Sequence, residues 1–468
     1  MKIFFVLMLL LLLSACSGEN GFNSSEEIGG EITVYTFDGM LTGPFLEEAA
    51  QLFMELHENV TVNVRSFSSS PEVRRAEGAD GTRHVAVATD TPRERRDYVN
   101  MINTELMGGR GPDILALDVL PFEVYARNGQ LADLREFMAA DDSFTLADYR
   151  TNIFDALTNT AGQQFIFPVT YSFRYLVYDS SLVSSENLPA TGGAFNFADM
   201  METGRSVETG EFIFGMGAGP RPGLFIELFN QNSHFVDADN RVANFGDGVF
   251  EALLTEVYAL EEDGRIPPRQ AQQGGMGAHD ERFMFKPRPV AMLLNEFQRE
   301  AGRQGTMMAM GAGLLGIQDD DRIAGIIANA NGEIPFTVQD GFGINSNSQN
   351  QHTAWEFLKF LSSDAVRQSS RIAGLPVHVG AFEERAFLSV TGAIFGEGDE
   401  PDSVDLEILA AYVAKVEYFT SRLTAFFSPD AIITDIVIAE VGEFFDGSRT
   451  AQDIADTLQS RITLLLNE

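Results

Sequence analysis

Of the 468 residues, 68 are Asp or Glu, so carboxylates are the commonest groups able to do chemistry. Two of them facing each other across a cleft would suit glycoside hydrolysis, but spacing singles out no pair. Other chemistries have less support. The six His are scattered, and the chain holds no H-E-x-x-H, no G-x-x-x-x-G-K-[ST] and no G-x-S-x-G. Gly215-Met216-Gly217-Ala218-Gly219 follows an apolar run but lacks the third glycine of a dinucleotide loop at its offset, and reads as a close-packed turn. Asp237-Ala238-Asp239-Asn240 and Asp319-Asp320-Asp321 lack the glycine and closing glutamate of a calcium loop, and read as solvated turns. Glu397 to Glu407 holds six acids and no base, an exposed loop. The expectation is a protein with no metal and no cofactor.

The one cysteine is Cys16, so thiol catalysis and cysteine metal sites have little to work with. It closes an N-terminal segment in which Lys2 precedes an unbroken apolar run, Ile3 to Leu13. That run is too short for a permanent span, which needs about twenty residues, and reads as an export signal over residues 1–15. Leu13-Ser14-Ala15-Cys16 resembles a bacterial lipobox. The resemblance implies cleavage before Cys16 and acylation of that residue, with several acyl chains giving a stable anchor where one is marginal. Residues 16–30, rich in Gly, Ser, Asn and Glu, read as a flexible tether.

Ile32 to Phe37 and Val60 to Val64 are β-branched strands flanking a helix started at Pro44, with Phe45, Ala49, Leu52, Phe53 and Leu56 at helical spacing. A β-α-β start signals a parallel sheet. Residues 66–97 break the rhythm and read as a polar surface insertion, with Arg93, Arg95 and Arg96 on a solvated face. Further strands are expected at 114–117, 212–217 and 289–294. The extended stretch Phe165 to Tyr178 contains Pro168, so it reads as two strands with a crossover near 170–172. Trp355, the only Trp, sits in an amphipathic helix and reads as core, and Thr450 opens a capping box before a terminal helix. Alternating strands and helices make the class α/β.

Composition sets the outer limits. With 44% apolar and 21% charged residues the chain is globular, and its length suits two or three domains. The net charge of −36 disfavours nucleic acid and anionic lipid surfaces as partners.

The ordered series ITVYTF, INTELMGGRGPDILAL, YARNGQLADL, FIFPVTYSFRYLVYDSSL, VANFGDGVFEALLTEVYALEEDGRIPP, FMFKPRPVAML, DGFGINSNSQNQHTAWEFLKFLSSDAVRQ, GLPVH and FFDGSRTAQDIADTLQSRITLLLNE resembles the extracellular solute-binding proteins of ABC importers, of the sugar and oligosaccharide type. It covers nearly all of residues 31–468. The resemblance implies a two-lobe, periplasmic-binding-protein-like type II fold with an interlobe ligand cleft. Lobe one would be residues 31–170 plus 312–344, and lobe two 171–311 plus 345–468. It also implies a monomeric, non-enzymatic receptor at the outer face of the cell membrane, or on the periplasmic side where there are two membranes. That receptor would capture a carbohydrate for an ABC permease. A secreted glycan hydrolase and a ligand sensor, both lipoproteins, are the rival readings.

Carried onto strand ends, the resemblance puts Phe37, Asp38, Asp118, Tyr171, Phe173, Arg174, Asn295, Glu296 and Phe297 at the cleft. Aromatic faces would meet the C–H surfaces of a sugar, and charged or amide groups its hydroxyls. Each has a plainer alternative. Phe37 and Phe297 could be core, Asp38 a helix cap, and Arg174 half of a structural ion pair. The family's sugar specialists often use several tryptophans, which this chain lacks.

Overall fold

The computed structural model describes residues 28–467 apart from 40, 69–71, 78–82, 89–91, 189–193, 208–210, 215–219, 231–233, 238–239, 267–282, 295–296, 298–319, 364, 366–368, 370, 373 and 392–405. Cys16, Asn295 and Glu296 lie outside the described residues.

The chain opens with strand β1 (Gly30–Thr36), helix α1 (Thr42–Leu56) and strand β2 (Val60–Ser66). β1 and β2 pair in parallel, Ile32 opposite Val62. Ile32 and Val34 alternate into the core, where Phe45, Leu46, Ala49 and Phe53 of α1 meet them. Pro44 lies within the first turn of α1, where its missing N–H costs little. Leu56, expected on the buried stripe, is 65% exposed because it falls in the final turn, beyond the sheet.

The polar insertion contains an antiparallel hairpin, β3 (Glu72–Glu77) with β4 (Arg83–Ala88). Helix α2 (Pro92–Met107) begins inside the segment read as insertion and leads to β5 (Ile114–Ala116) and the short helix α3 (Phe122–Arg127). Strands β6 (Phe167–Ser172) and β7 (Arg174–Asp179) follow, with Phe173 between them. Next come β8 (Ala194–Phe195), β9 (Phe212–Phe214), helix α4 (Pro220–Asn230), the ribbon β10 (Val236–Asp237) and β11 (Val242–Ala243), and helix α5 (Val249–Glu262). Then come β12 (Phe283–Pro289), β13 (Asp321–Ile327), β14 (Pro335–Ile344), helix α6 (Gln351–Leu361), β15 (Leu375–Pro376), helix α7 (Leu406–Thr420) and β16 (Ala425–Phe426). Helices α8 (Ala431–Phe445) and α9 (Ala451–Asn467) close the chain, α9 with the expected Thr450–Asp453 capping box.

The strands form two main sheets. The first has order β15-β6-β14-β5-β1-β2, with β16 beside β14; the second has order β8-β13-β7-β12-β9. Leu176, Tyr178 and Ile327 of the second sheet pack in a core of that sheet, whereas Tyr175, Val177 and Ile326 join the core of the first, and a third cluster, with Phe37, Tyr98, Leu115 and Leu117, packs α2 against the first sheet. Pro168 is tolerated inside the first sheet because the register of β14 shifts beside its partner Gly341. Trp355 is fully buried in the first core, as its helical context predicts.

Among the described residues three segments pass between the sheets: Phe173, residues 328–334 and residues 427–430. This corrects parts of the expected division. β13 lies within the span 312–344 assigned to lobe one but pairs with β7 and β8 of the second sheet. Helix α6, β15 and β16 lie within the span assigned to lobe two but belong to the first sheet and core.

The strand expected at 289–294 is also displaced. The strand is β12, which ends at Pro289, and Val290–Met292 turns helically. Val290 donates its N–H to the Phe173 carbonyl at 2.9 Å, fixing that turn beside the crossing.

Candidate interlobe binding site

A cleft of about 1260 Å³ opens where the sheets meet. The first-sheet wall carries Val99 and Asn103 of α2 and the stretch Asp118 to Asn128. The opposite wall carries Glu227 and Asn230 of α4 and Ala431 to Thr434 of α8. The three crossing segments supply the floor, with Phe173, Asn329 and Phe427 among their residues. Residues of both sheets therefore line one cavity.

Asp118 follows β5, where Leu117 donates its backbone N–H to the Gly341 carbonyl at 2.9 Å. Its side chain is exposed to solvent at the cleft. Its carboxyl is raised from 3.8 to about 7, first by loss of water, then by the charges of Asp38 and Asp340, against a smaller pull from backbone N–H groups. Asp340 is buried, and burial raises it too, although Thr170 and Thr42 donate hydroxyl hydrogen bonds to it at 2.7 and 3.1 Å. Asp38 caps α1, accepting from the backbone N–H groups of Leu41 and Thr42 at 3.2 Å. Asp38 and Asp340 thus act by charge on Asp118, the one of the three that lines the cleft. Among the described residues no three His, Cys, Asp or Glu are arranged to hold a metal ion.

Arg174 begins β7 on the cleft side and forms an ion pair with Glu227 of α4. Phe173 lines the floor while its ring packs 6.0 Å from Phe419. Asp430 caps α8 through Ile432 N at 2.8 Å and Ile433 N at 3.0 Å, and burial raises its carboxyl while those N–H groups lower it. Half-buried Phe122 and Phe426 line the same cavity, their centroids 6.0 Å apart.

The sequence-based site is therefore partly assembled. Asp118, Phe173 and Arg174 line the cleft; Asp38 acts on it through charge. Phe37 is corrected to core: it is 2% exposed, with its ring 5.4 Å from Tyr98. Tyr171 is corrected as well. It is fully buried, its hydroxyl 2.7 Å from Thr420 Oγ1, because its β6 position faces the first core. Phe297 packs against that core, and the premise that it follows a strand end fails with the displaced strand.

Sequence reasoning missed Glu227, Asp430 and several cleft amides: Asn100, Asn128, Gln130, Asn230 and Gln339. Asn128 and Gln130 flank a glycine with φ 67° that ends the turn after α3, a local signal that could have drawn attention to them.

No protein-family description and no curated relative matches the chain. Solved structures do. An extracellular solute-binding protein family 1 member from Alicyclobacillus acidocaldarius matches with TM-score 0.54 at 15% identity, covering 95% of this chain and 100% of that one. An ABC substrate-binding protein from Listeria monocytogenes, in complex with cycloalternan, matches with TM-score 0.52 at 17% identity, covering 94% and 99%. A periplasmic-binding protein from Synechococcus matches with TM-score 0.55 at 14% identity, covering 93% and 99%. The chain has the two-lobe α/β fold of the extracellular solute-binding proteins. In that fold the interlobe cleft described above is the concave surface that both lobes share.

Proposed function

We propose that this protein is a solute receptor that captures a carbohydrate between its lobes and delivers it to an ABC permease. The observation that carries the reading is the cleft itself. Its walls come from both sheets, and a closed arrangement lets one ligand touch both, so binding stabilises closure. The lining supports a polyhydroxylated ligand: amides from both walls can donate and accept toward hydroxyls, and Phe122 and Phe426 offer apolar faces. The structural neighbours include proteins solved with cycloalternan and with maltose.

On this reading Asp118 and Arg174 contact the solute, and Phe173, 3% exposed and packed in the first core, supports the floor beneath it. The lobes are residues 28–172 with 335–426, and 174–327 with 431–467. Cys16 carries the lipid anchor, residues 16–27 the tether, and the protein works as a monomer outside the cell membrane. Among the described residues no helix is long and apolar enough to cross a membrane.

One observation favours the hydrolase alternative: a cleft carboxyl raised to about 7 is suited to acid catalysis. A single experiment separates the two. Melting temperature is measured against mono- and oligosaccharides, and each compound is then recovered. A solute at 100 times its dissociation constant adds about 2.7 kcal/mol. A shift with the sugar recovered unchanged supports the receptor; a cleaved product supports the hydrolase; no shift with any sugar removes the carbohydrate assignment.

A further inference from the structure

Helix α2 belongs to the first lobe, since Tyr98, Val99, Ile102 and Leu106 are buried beside Phe37 and Leu115. Helix α8 belongs to the second, since Ile433, Val437, Val441 and Phe445 are buried with Phe225 and Leu254. These two helices touch across the cleft. Arg95 of α2 grips Asp435 of α8 with Nη2 at 2.7 and 3.0 Å from the two carboxylate oxygens and Nε at 3.3 Å from one of them. Their side chains are 21% and 17% exposed, so Arg95 is not on a solvated face as its sequence context suggests.

The location gives this pair a role. Val99, one turn after Arg95, and Thr434, beside Asp435, both line the cleft. Asp435 also lies five residues beyond Asp430, at the end of the third crossing, which is about 7.5 Å of helix. Rotation of one lobe about the crossings moves Asp435 relative to α2. A two-point guanidinium–carboxylate contact tolerates little displacement, since its geometry fixes both partners. Ile432 adds an apolar contact of α8 to the first-lobe cluster, so this helix end is already seated on the opposite wall.

We infer that Arg95 and Asp435 form an electrostatic latch that holds the two lobes together across the cleft and sets how readily the site opens. This rests on the two-lobe receptor reading for its purpose, but not for its test. The latch acts in the absence of solute, and a partly buried, two-point pair holds better than an ordinary surface ion pair. With a solute bound, the same latch slows escape without touching the solute.

The test uses the full chain in detergent, without any solute. Spin labels are placed on cysteines introduced as Leu56→Cys in α1 and Leu464→Cys in α9, both exposed, in a Cys16→Ser background. Interlobe distances are then compared. Arg95→Gln and Asp435→Asn are each expected to raise the ratio of long to short distances about fivefold. The charge swap Arg95→Asp with Asp435→Arg is expected to restore the short distance. About 1 M salt is expected to move the unmodified pair in the direction of the single variants, by less, because partly buried pairs are screened less. Unchanged distances in both single variants overturn the latch, as does a swap that behaves no better than either single variant. A lower melting temperature with unchanged distances overturns it too, leaving a static brace. A protein that binds no sugar can still show the latch, and a failed latch leaves solute binding intact, so the two readings fail separately.

Discussion

Trp355 donates its indole N–H to Asp141 Oδ2 at 2.8 Å, and both residues are buried. Lys359, one turn further along α6, reaches the same carboxylate at 2.5 Å, and Ser143 donates to its other oxygen at 2.6 Å. One carboxylate thus ties α6 to the loop below the first sheet, and the lone tryptophan is held by a polar contact as well as by packing.

That contact is testable through acid. Burial alone raises the Asp141 carboxyl, but the hydrogen bonds from Lys359, Ser143 and Trp355 outweigh it and hold the group well below its usual range. A depressed carboxyl contributes stability above its unfolded value of 3.8, and the contribution is lost as pH falls below that. Asp141→Ala leaves the buried Trp355 N–H unpaired, while Lys359 keeps Glu356 at 2.7 Å, and the variant is expected to cost about 2 kcal/mol at pH 7. Urea unfolding should show the deficit at pH 7 and its shrinkage in strong acid.

Asp118 has the opposite sign. Its folded carboxyl stands near 7 and its unfolded value is 3.8, so between these the folded state binds more protons and stability falls as pH rises. Asp118→Asn removes that dependence. The variant is expected to melt higher than the parent above pH 7 and to lose the advantage near pH 4. On the receptor reading it also binds sugar at least tenfold more weakly, which calorimetry at pH 8 would measure.

Tyr171→Phe tests whether Tyr171 serves the core or the cleft. The hydroxyl lost is the one beside Thr420, so stability is expected to fall by about 1 kcal/mol while solute affinity stays unchanged. A tenfold loss of affinity without unfolding would return Tyr171 to the cleft.

Arg174→Ala separates the cleft pair from structure. Arg174 is 46% exposed, so breaking its bond with Glu227 is expected to change stability by less than about 1 kcal/mol. Solute affinity is expected to fall about tenfold, because the variant leaves Glu227 without this partner at the cleft. Equal losses in stability and binding would mark the pair as structural.

Much of this fold was legible because periodicity reports on one element at a time. The parallel β1-α1-β2 unit, the terminal helix with its capping box and the burial of Trp355 follow from local spacing. What local spacing does not carry is which face of a strand meets which body. Tyr171 and Phe173 lie two residues apart near the crossing; Tyr171 packs inward against Thr420, whereas Phe173 also reaches the cleft floor. Val290 to Leu294 is apolar enough for a strand, but Pro289 ends the ladder and the carbonyl of Phe173 captures the next N–H. Arg95 sits in a run of charge that reads as solvated, and its partner is 340 positions away. Asp118 was found by its place at a strand end, whereas Asp430 and Glu227 carry no comparable local mark.

The order of strands in the first sheet has a consequence for how the chain comes together. β14 lies between β6 and β5, so the sheet exists only as two fragments until residues 335–344 are available. A nascent or truncated chain ending before Pro335 exposes Phe167–Ser172 on one fragment and Ile114–Ala116 on the other as open edges, ready to pair with another chain. Completion of the sheet must therefore wait for contacts spanning well over a hundred residues, which favours slow assembly.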